Sequence, residues 1–169
     1  ANSNDVCANI LSSCFEDGIR LDYSSTNRIA NNSVASSGRT GISLYNSSNF
    51  DNVLGNVITD CNVAITFRTL SSNNSVVENQ VEGNFRGLEF ISSPNNTIVR
   101  NVFTDSEWFN FRLARCTGNT VYENSIAGAW IDSSSANAFY HNYMRSQAKT
   151  SELQSHLTLV CRLLLSNKQ

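Results

Sequence analysis

Arg68, Glu89 and Arg112 stand 21 and 23 residues apart. Two guanidinium groups flanking one carboxylate could bind an acidic sugar or serve proton transfer at such a ligand. The same trio also suits a cross-strand ion-pair ladder that keeps a sheet face soluble, and that reading weighs more. Arg20, Asp22, Tyr45, Trp130 and Asp132 recur at related spacings and would extend a binding groove, with Tyr45 and Trp130 as platforms for sugar rings. Trp108 and Phe109 add aromatic surface, or else tuck under a turn as a satellite cluster. Glu78, Arg100, Glu123 and His141 form a second series of alternating charge that reads as a solvated ladder. The five cysteines, Cys7, Cys14, Cys61, Cys116 and Cys161, make no CxxC pair or zinc knuckle, so neither a metal site nor a disulfide framework is indicated. No cofactor is identified, with calcium alone left open. No two acidic residues stand out as the acid and nucleophile of a glycosidase.

A repeat is what would bring these residues together. The chain has 169 residues, 15% of them charged, and a formal net charge of −2. That length suits one domain with a real core. The near-neutral balance argues against nucleic acid or an anionic membrane surface as partner. The apolar run 157–165 is interrupted by Arg162 and is too short to span a bilayer. The unusual numbers are 24 asparagines and 25 serines against a single proline. Asparagines recur at Asn9, Asn32, Asn56, Asn79, Asn101, Asn124 and Asn142, and again at Asn4, Asn27, Asn52, Asn74, Asn96, Asn119 and Asn137. Apolar residues keep the same register. Val6, Ile29, Val53, Val76, Ile98, Val121 and Phe139 lie between the two series. Leu11, Val34, Ile58, Val81, Phe103, Ile126 and Met144 follow the later one.

Each repeat of about 23 residues holds short period-two runs separated by Asn, Ser and Gly, which read as strands and tight turns. No repeat can bury its own apolar face, so neighbours must stack, about 4.8 Å apart. Asparagine suits the turns because it tolerates left-handed backbone and can bond its counterpart in the next coil. The expected inward pairs of the longest run are Ile19/Leu21, Ile42/Leu44, Ile65/Phe67, Leu88/Phe90 and Phe111/Leu113. Alternation then places Arg20, Ser43, Thr66, Glu89, Arg112 and Trp130 in one outward column, and Asp22, Tyr45, Arg68, Ile91, Ala114 and Asp132 in the next. Leucine-rich repeats would need Leu at the apolar sites and one Asn per repeat, and helical repeats are excluded by the Asn and Ser density.

The runs Gly-Ile-x-Leu-x-x-Ser-Ser and Asn-x-Ile-x-x-Asn-x-Ile, best seen in 18–34 and 87–103, resemble the repeats of parallel β-helix proteins of the NosD and CASH (carbohydrate-binding and sugar hydrolase) type. These belong to the wider pectate-lyase-like group, and the likeness covers about residues 3–145. It implies an all-β fold, a right-handed single-stranded parallel β-helix of six to seven coils, with a groove on the outer surface of one sheet. It also implies a polysaccharide as partner and an extracellular, cell-surface or periplasmic location. The implied activity is carbohydrate binding or polysaccharide modification by a lyase, epimerase or hydrolase. A non-catalytic surface or NosD-like accessory module stands as the alternative. The Asp-Pro-His-Asp run that marks alginate epimerases of this fold is absent.

Residues 1–145 are therefore expected to form the β-helix and 146–169 a C-terminal cap or tail. Leu153, Leu157, Val160 and Leu164 fall at helical spacing there, and Ser151 with Gln154 could form a capping box, although a β-prone tail fits nearly as well. The chain opens partway through a coil, so further coils or a cap are expected before Ala1. An uncapped end exposes strand edges, which makes end-to-end self-association an expectation.

Overall fold

The computed structural model describes residues 2–144. They form three parallel sheets of seven, seven and six strands, in which every neighbour is one coil away in sequence. Sheet A runs from Asp5–Cys7 to Ala138–Tyr140 and sheet B from Ile10–Ser12 to Tyr143–Met144, mostly as three-residue strands. Sheet C holds the longer strands Asp17–Asp22, Thr40–Tyr45, Val63–Arg68, Arg86–Ile91, Phe109–Ala114 and Ala129–Asp132. The result is an all-β solenoid of the expected coil count. The expected cap or tail at 146–169 lies outside the described residues.

Strand pairing keeps the register read from the repeat. Ile29 pairs with Val6 and Val53, Val34 with Leu11 and Ile58, and Leu88 with Ile65 and Phe111. These side chains fuse into one axial core, fully buried except Val6 and Leu11 of the first coil, which pack partly buried against it. Within it Phe67 and Phe90 stack face to face at 4.4 Å, and Phe111 meets Phe103 and Phe139 edge-on. Each full coil adds a layer of four large apolar groups, such as Ile98, Phe103, Phe111 and Leu113. Burial of each group stabilises the fold by ~1.5–3 kcal/mol, and only stacking achieves it.

Two buried asparagine ladders bind the coils at their corners. Asn56 is typical: its backbone N and its Nδ2 both donate to Oδ1 of Asn79 at 2.9 Å, and Nδ2 also donates back to the Ile29 carbonyl. One side chain thus joins three coils. The ladder asparagines are not themselves the left-handed residues. That conformation falls on the residue just before, including Asn31, Glu78, Arg100 and Glu123 in one ladder and Thr26, Phe50 and Asn73 in the other. Left-handed backbone is strained for such residues, and the hydrogen bonds of the following Asn hold it in place.

One member of the expected series is displaced. Asn52 pairs in strand Asn52–Leu54, and the ladder position belongs to Asp51. Its Oδ1 accepts from N and Nδ2 of Asn27 at 2.7 and 2.8 Å, and its own N donates to Oδ1 of Asn74 at 2.8 Å. Asn74 and Asn96 use Nδ2 to reach the carbonyls of Ser48 and Ser71, whereas Asp51 has a buried Oδ2 with no partner. Burial raises the Asp51 pKa above the ordinary carboxylate value, despite the two N–H donors at Oδ1.

Sheet C departs from strict alternation at its second residue. A Cβ on Gly18 would strike Val34 in the core, and one on Gly41 would lie 2.6 Å from Ile58 Cγ2 and 2.7 Å from the Ala64 carbonyl oxygen. Position two therefore faces inward alongside position three. Position one turns outward instead: Oδ2 of Asp17 accepts from the Ser43 hydroxyl at 2.9 Å and stands 3.7 Å from Arg20. The outer face of sheet C consequently carries three columns rather than two.

Candidate functional site on the outer face of sheet C

The third column comprises Asp17, Thr40, Val63, Arg86 and Phe109, in the register given by the sheet. It lies beside the two columns expected from the repeat, both of which occur as read. Outward does not mean exposed here. Ser43 and Thr66 are fully buried and Glu89 is only 2% exposed, because long side chains from adjacent columns fold over them. Arg68 crosses Thr66, donating from Nε to its hydroxyl at 3.2 Å.

The trio read from sequence is brought together. Arg68 donates to Glu89 Oε2 at 2.7 Å and Arg112 to Oε1 at 2.8 Å, so each carboxylate oxygen holds one guanidinium from an adjacent coil. Asp132 stands 3.7 Å from Arg112 on the far side. The four formal charges of this group cancel. Arg68 and Arg112 keep 34% and 21% of their side-chain surface, enough to touch a ligand, while Glu89 is covered. Trp130 pairs with Arg112 at the far end of the sheet, whereas Arg20, Asp22 and Tyr45 form a separate group nearer the first coil. Arg20 donates to Asp22 at 3.1 Å and lies 4.8 Å over the Tyr45 ring. The Asn46 amide, hydrogen-bonded to the Asp22 carboxylate at 2.7 Å, lowers its pKa, with Arg20 adding to the effect.

Aromatic rings line the edge where the chain enters sheet C. Trp108 contacts Phe85, Phe109 and Trp130, with centroids 6.1, 5.5 and 6.1 Å away. Phe109 and Trp130 meet at right angles 6.4 Å apart. Trp108 and Phe85 remain 41% and 42% exposed, whereas Phe109 is buried. Guanidinium groups cover these rings: Arg112 lies 5.0 Å from Trp130, and Arg86 lies 4.6 Å from Trp108 and 5.5 Å from Phe85. Trp108 therefore belongs to the site as well as to a satellite cluster. Phe85 and Arg86 escaped the reading from sequence, which opened this strand at Gly87, whereas the strand begins at Arg86. The small residues Gly18, Gly41, Ala64 and Gly87 at position two were the available signal.

The other charge series is a surface ladder. Arg100 lies 2.9 Å from Glu78 and 3.7 Å from Glu123, all three about half exposed. Tyr122 and Tyr140 stack at 5.0 Å and 9°, which is packing between neighbouring coils.

A stack of parallel coils with polar corner ladders and one wide, functionalised sheet defines the β-helix class. Residues 1–144 match the family described as right handed beta helix region, and the chain belongs to that family. Among solved structures it is similar to the periplasmic alginate epimerase AlgG at 16% identity, with a TM-score of 0.73, covering 81% of this chain and 44% of that one. A double mutant of AlgG superimposes with a TM-score of 0.78 at 16% identity, covering 86% of this chain and 46% of that one. At that identity the likeness is one of fold, and the chain spans a little under half the length of these structures. No curated protein matches the sequence.

Proposed function

We propose that the chain binds a polysaccharide along the outer face of sheet C. The observation that carries this reading is a set of partly exposed aromatic rings on sheet C and its entry edge, Tyr45 towards one end and Phe85, Trp108 and Trp130 towards the other, each with a guanidinium group against it. Aromatic faces stack on the apolar faces of sugar rings, and arginine forks supply hydrogen bonds to the ring substituents. The coil spacing of roughly 4.8 Å is close to the length of one sugar residue, so a linear glycan can present successive residues to successive coils. AlgG, which is named as an epimerase of a polysaccharide, has the same fold, and this supports the choice of ligand class and a periplasmic or extracellular setting. Catalysis would draw on Arg68 and Arg112, with Glu89 fixing both guanidinium groups in place. The non-catalytic alternative of a binding module is favoured by Glu89 itself, whose two oxygens are both engaged and shielded from a ligand.

The test is a panel of linear polysaccharides, both uronate and neutral, incubated with the purified chain. Binding is read by affinity electrophoresis, and turnover by absorbance of unsaturated products and by composition of the polymer. Retarded migration with at least one polymer is expected. Neither binding nor turnover with any member would overturn the reading.

A further inference from the structure

Every arginine on the outer face of sheet C except Arg86 has a carboxylate at ion-pair distance. Arg20 is held by Asp17 and Asp22, Arg39 approaches Glu16 and Asp17, and Arg68 and Arg112 share Glu89. Arg86 has no such partner among the described residues. Its neighbours in the column are Val63 and Phe109, both apolar. Its Nε is buried without a hydrogen-bond partner, and its guanidinium rests against the touching pair of rings Trp108 and Phe85, 4.6 and 5.5 Å from their centroids. A half-buried cation packed against aromatic rings loses hydration that no carboxylate among the described residues restores, and an anion brought by a ligand would restore it. The Arg68–Glu89–Arg112 group cannot play that part well, because Glu89 and Asp132 already balance its two positive charges.

We propose that Arg86 reads the charge of the bound glycan, holding the carboxylate of a uronate residue while Trp108 and Phe85 pack against the sugar. This rests on the assignment of the outer face of sheet C to a polysaccharide and narrows the ligand to an acidic one. It also moves the anion-recognising point from the middle of the sheet to its entry edge.

The experiment compares a uronate polymer with the same polymer after reduction of its carboxyl groups, on the intact chain. The parent should bind the uronate form more tightly. Arg86→Gln should weaken binding of the uronate form about 10- to 100-fold, the worth of a charged hydrogen-bonded pair, and the reduced polymer by a clearly smaller factor, so that the preference for the uronate form is lost. Arg86→Lys keeps the charge without the planar fork and should fall between the two. Trp108→Ala should weaken both polymers. Circular dichroism melts check that each variant folds, and if the Gln variant does not, the Lys variant decides by its selectivity between the two polymers. Equal affinity of the parent for both polymers, or unchanged uronate binding by the Arg86 variants, would overturn the proposal and leave the face assignment standing. Failure of the parent to bind either polymer, or any other glycan, would overturn the face assignment itself.

Discussion

Replacing Asp51 by Asn should stabilise the solenoid and flatten its pH dependence. Asp51 occupies a buried ladder position, and its Oδ2 faces inward with no donor. Substitution with Asn puts an NH2 group where Asn74 and Asn96 donate to carbonyls of the preceding coil. Removing an unsatisfied buried acceptor, and gaining a donor in its place, is worth ~1–3 kcal/mol. For a domain of this size that corresponds to a Tm higher by ~2–12 °C. The sign with pH follows from the raised pKa of the folded carboxyl. The ordinary aspartate value of 3.8 stands for the unfolded chain, so just above it the folded chain keeps a proton the unfolded chain has lost. Stability from this group is therefore greatest below the unfolded value and declines as pH rises through the folded one. At low pH the parent carries a neutral carboxyl that can itself donate from Oδ2, and it resembles the variant. Thermal melts followed by circular dichroism at pH 4 and pH 7 should show the gap between variant and parent widening at the higher pH. A variant that melts lower than the parent, or a gap of the same size at both values, would refute the account of Asp51.

Gly87→Ala should destabilise the fold by ~1–3 kcal/mol, because the new Cβ would run into the backbone of Asn110 in the next coil, a clash with no flexible side chain to relieve it. Urea titration measures this, and an unchanged midpoint would mean that neighbouring strands of sheet C can shift apart at position two. Glu89→Gln leaves Arg68 and Arg112 facing each other with half their compensating charge gone. After discounting for the partial exposure of both arginines, a loss of ~1–2 kcal/mol is expected in the same titration. Any polysaccharide turnover by the chain should disappear in Glu89→Gln and in Arg112→Ala, and its survival in both would remove the trio from the chemistry.

The repeat made the fold legible because each coil solves the same packing problem, so one pattern of apolar and Asn positions is stated seven times over. The one misplaced ladder residue, Asn52 for Asp51, came from following residue type instead of interval. Asp51 gives steps of 24 and 23 residues to Asn27 and Asn74, more even than the 25 and 22 that Asn52 gives. The ladder position is defined by a backbone N–H and a preceding left-handed residue, and a carboxylate oxygen can accept there as an amide oxygen does. The site was harder to read because it depends on which side chains share a face, and that depends on the break in alternation at position two of sheet C. Strict alternation sends Arg86 into the core, where an arginine has no reasonable place, while the run of Gly and Ala just after it gives the inward direction to position two. Once position one is outward, the charges of the face can be counted column against column. Arg68 and Arg112 then cease to be free cations, since Glu89 sits between them. The uncompensated charge of the face falls on Arg86, the arginine that the alternation rule would have hidden.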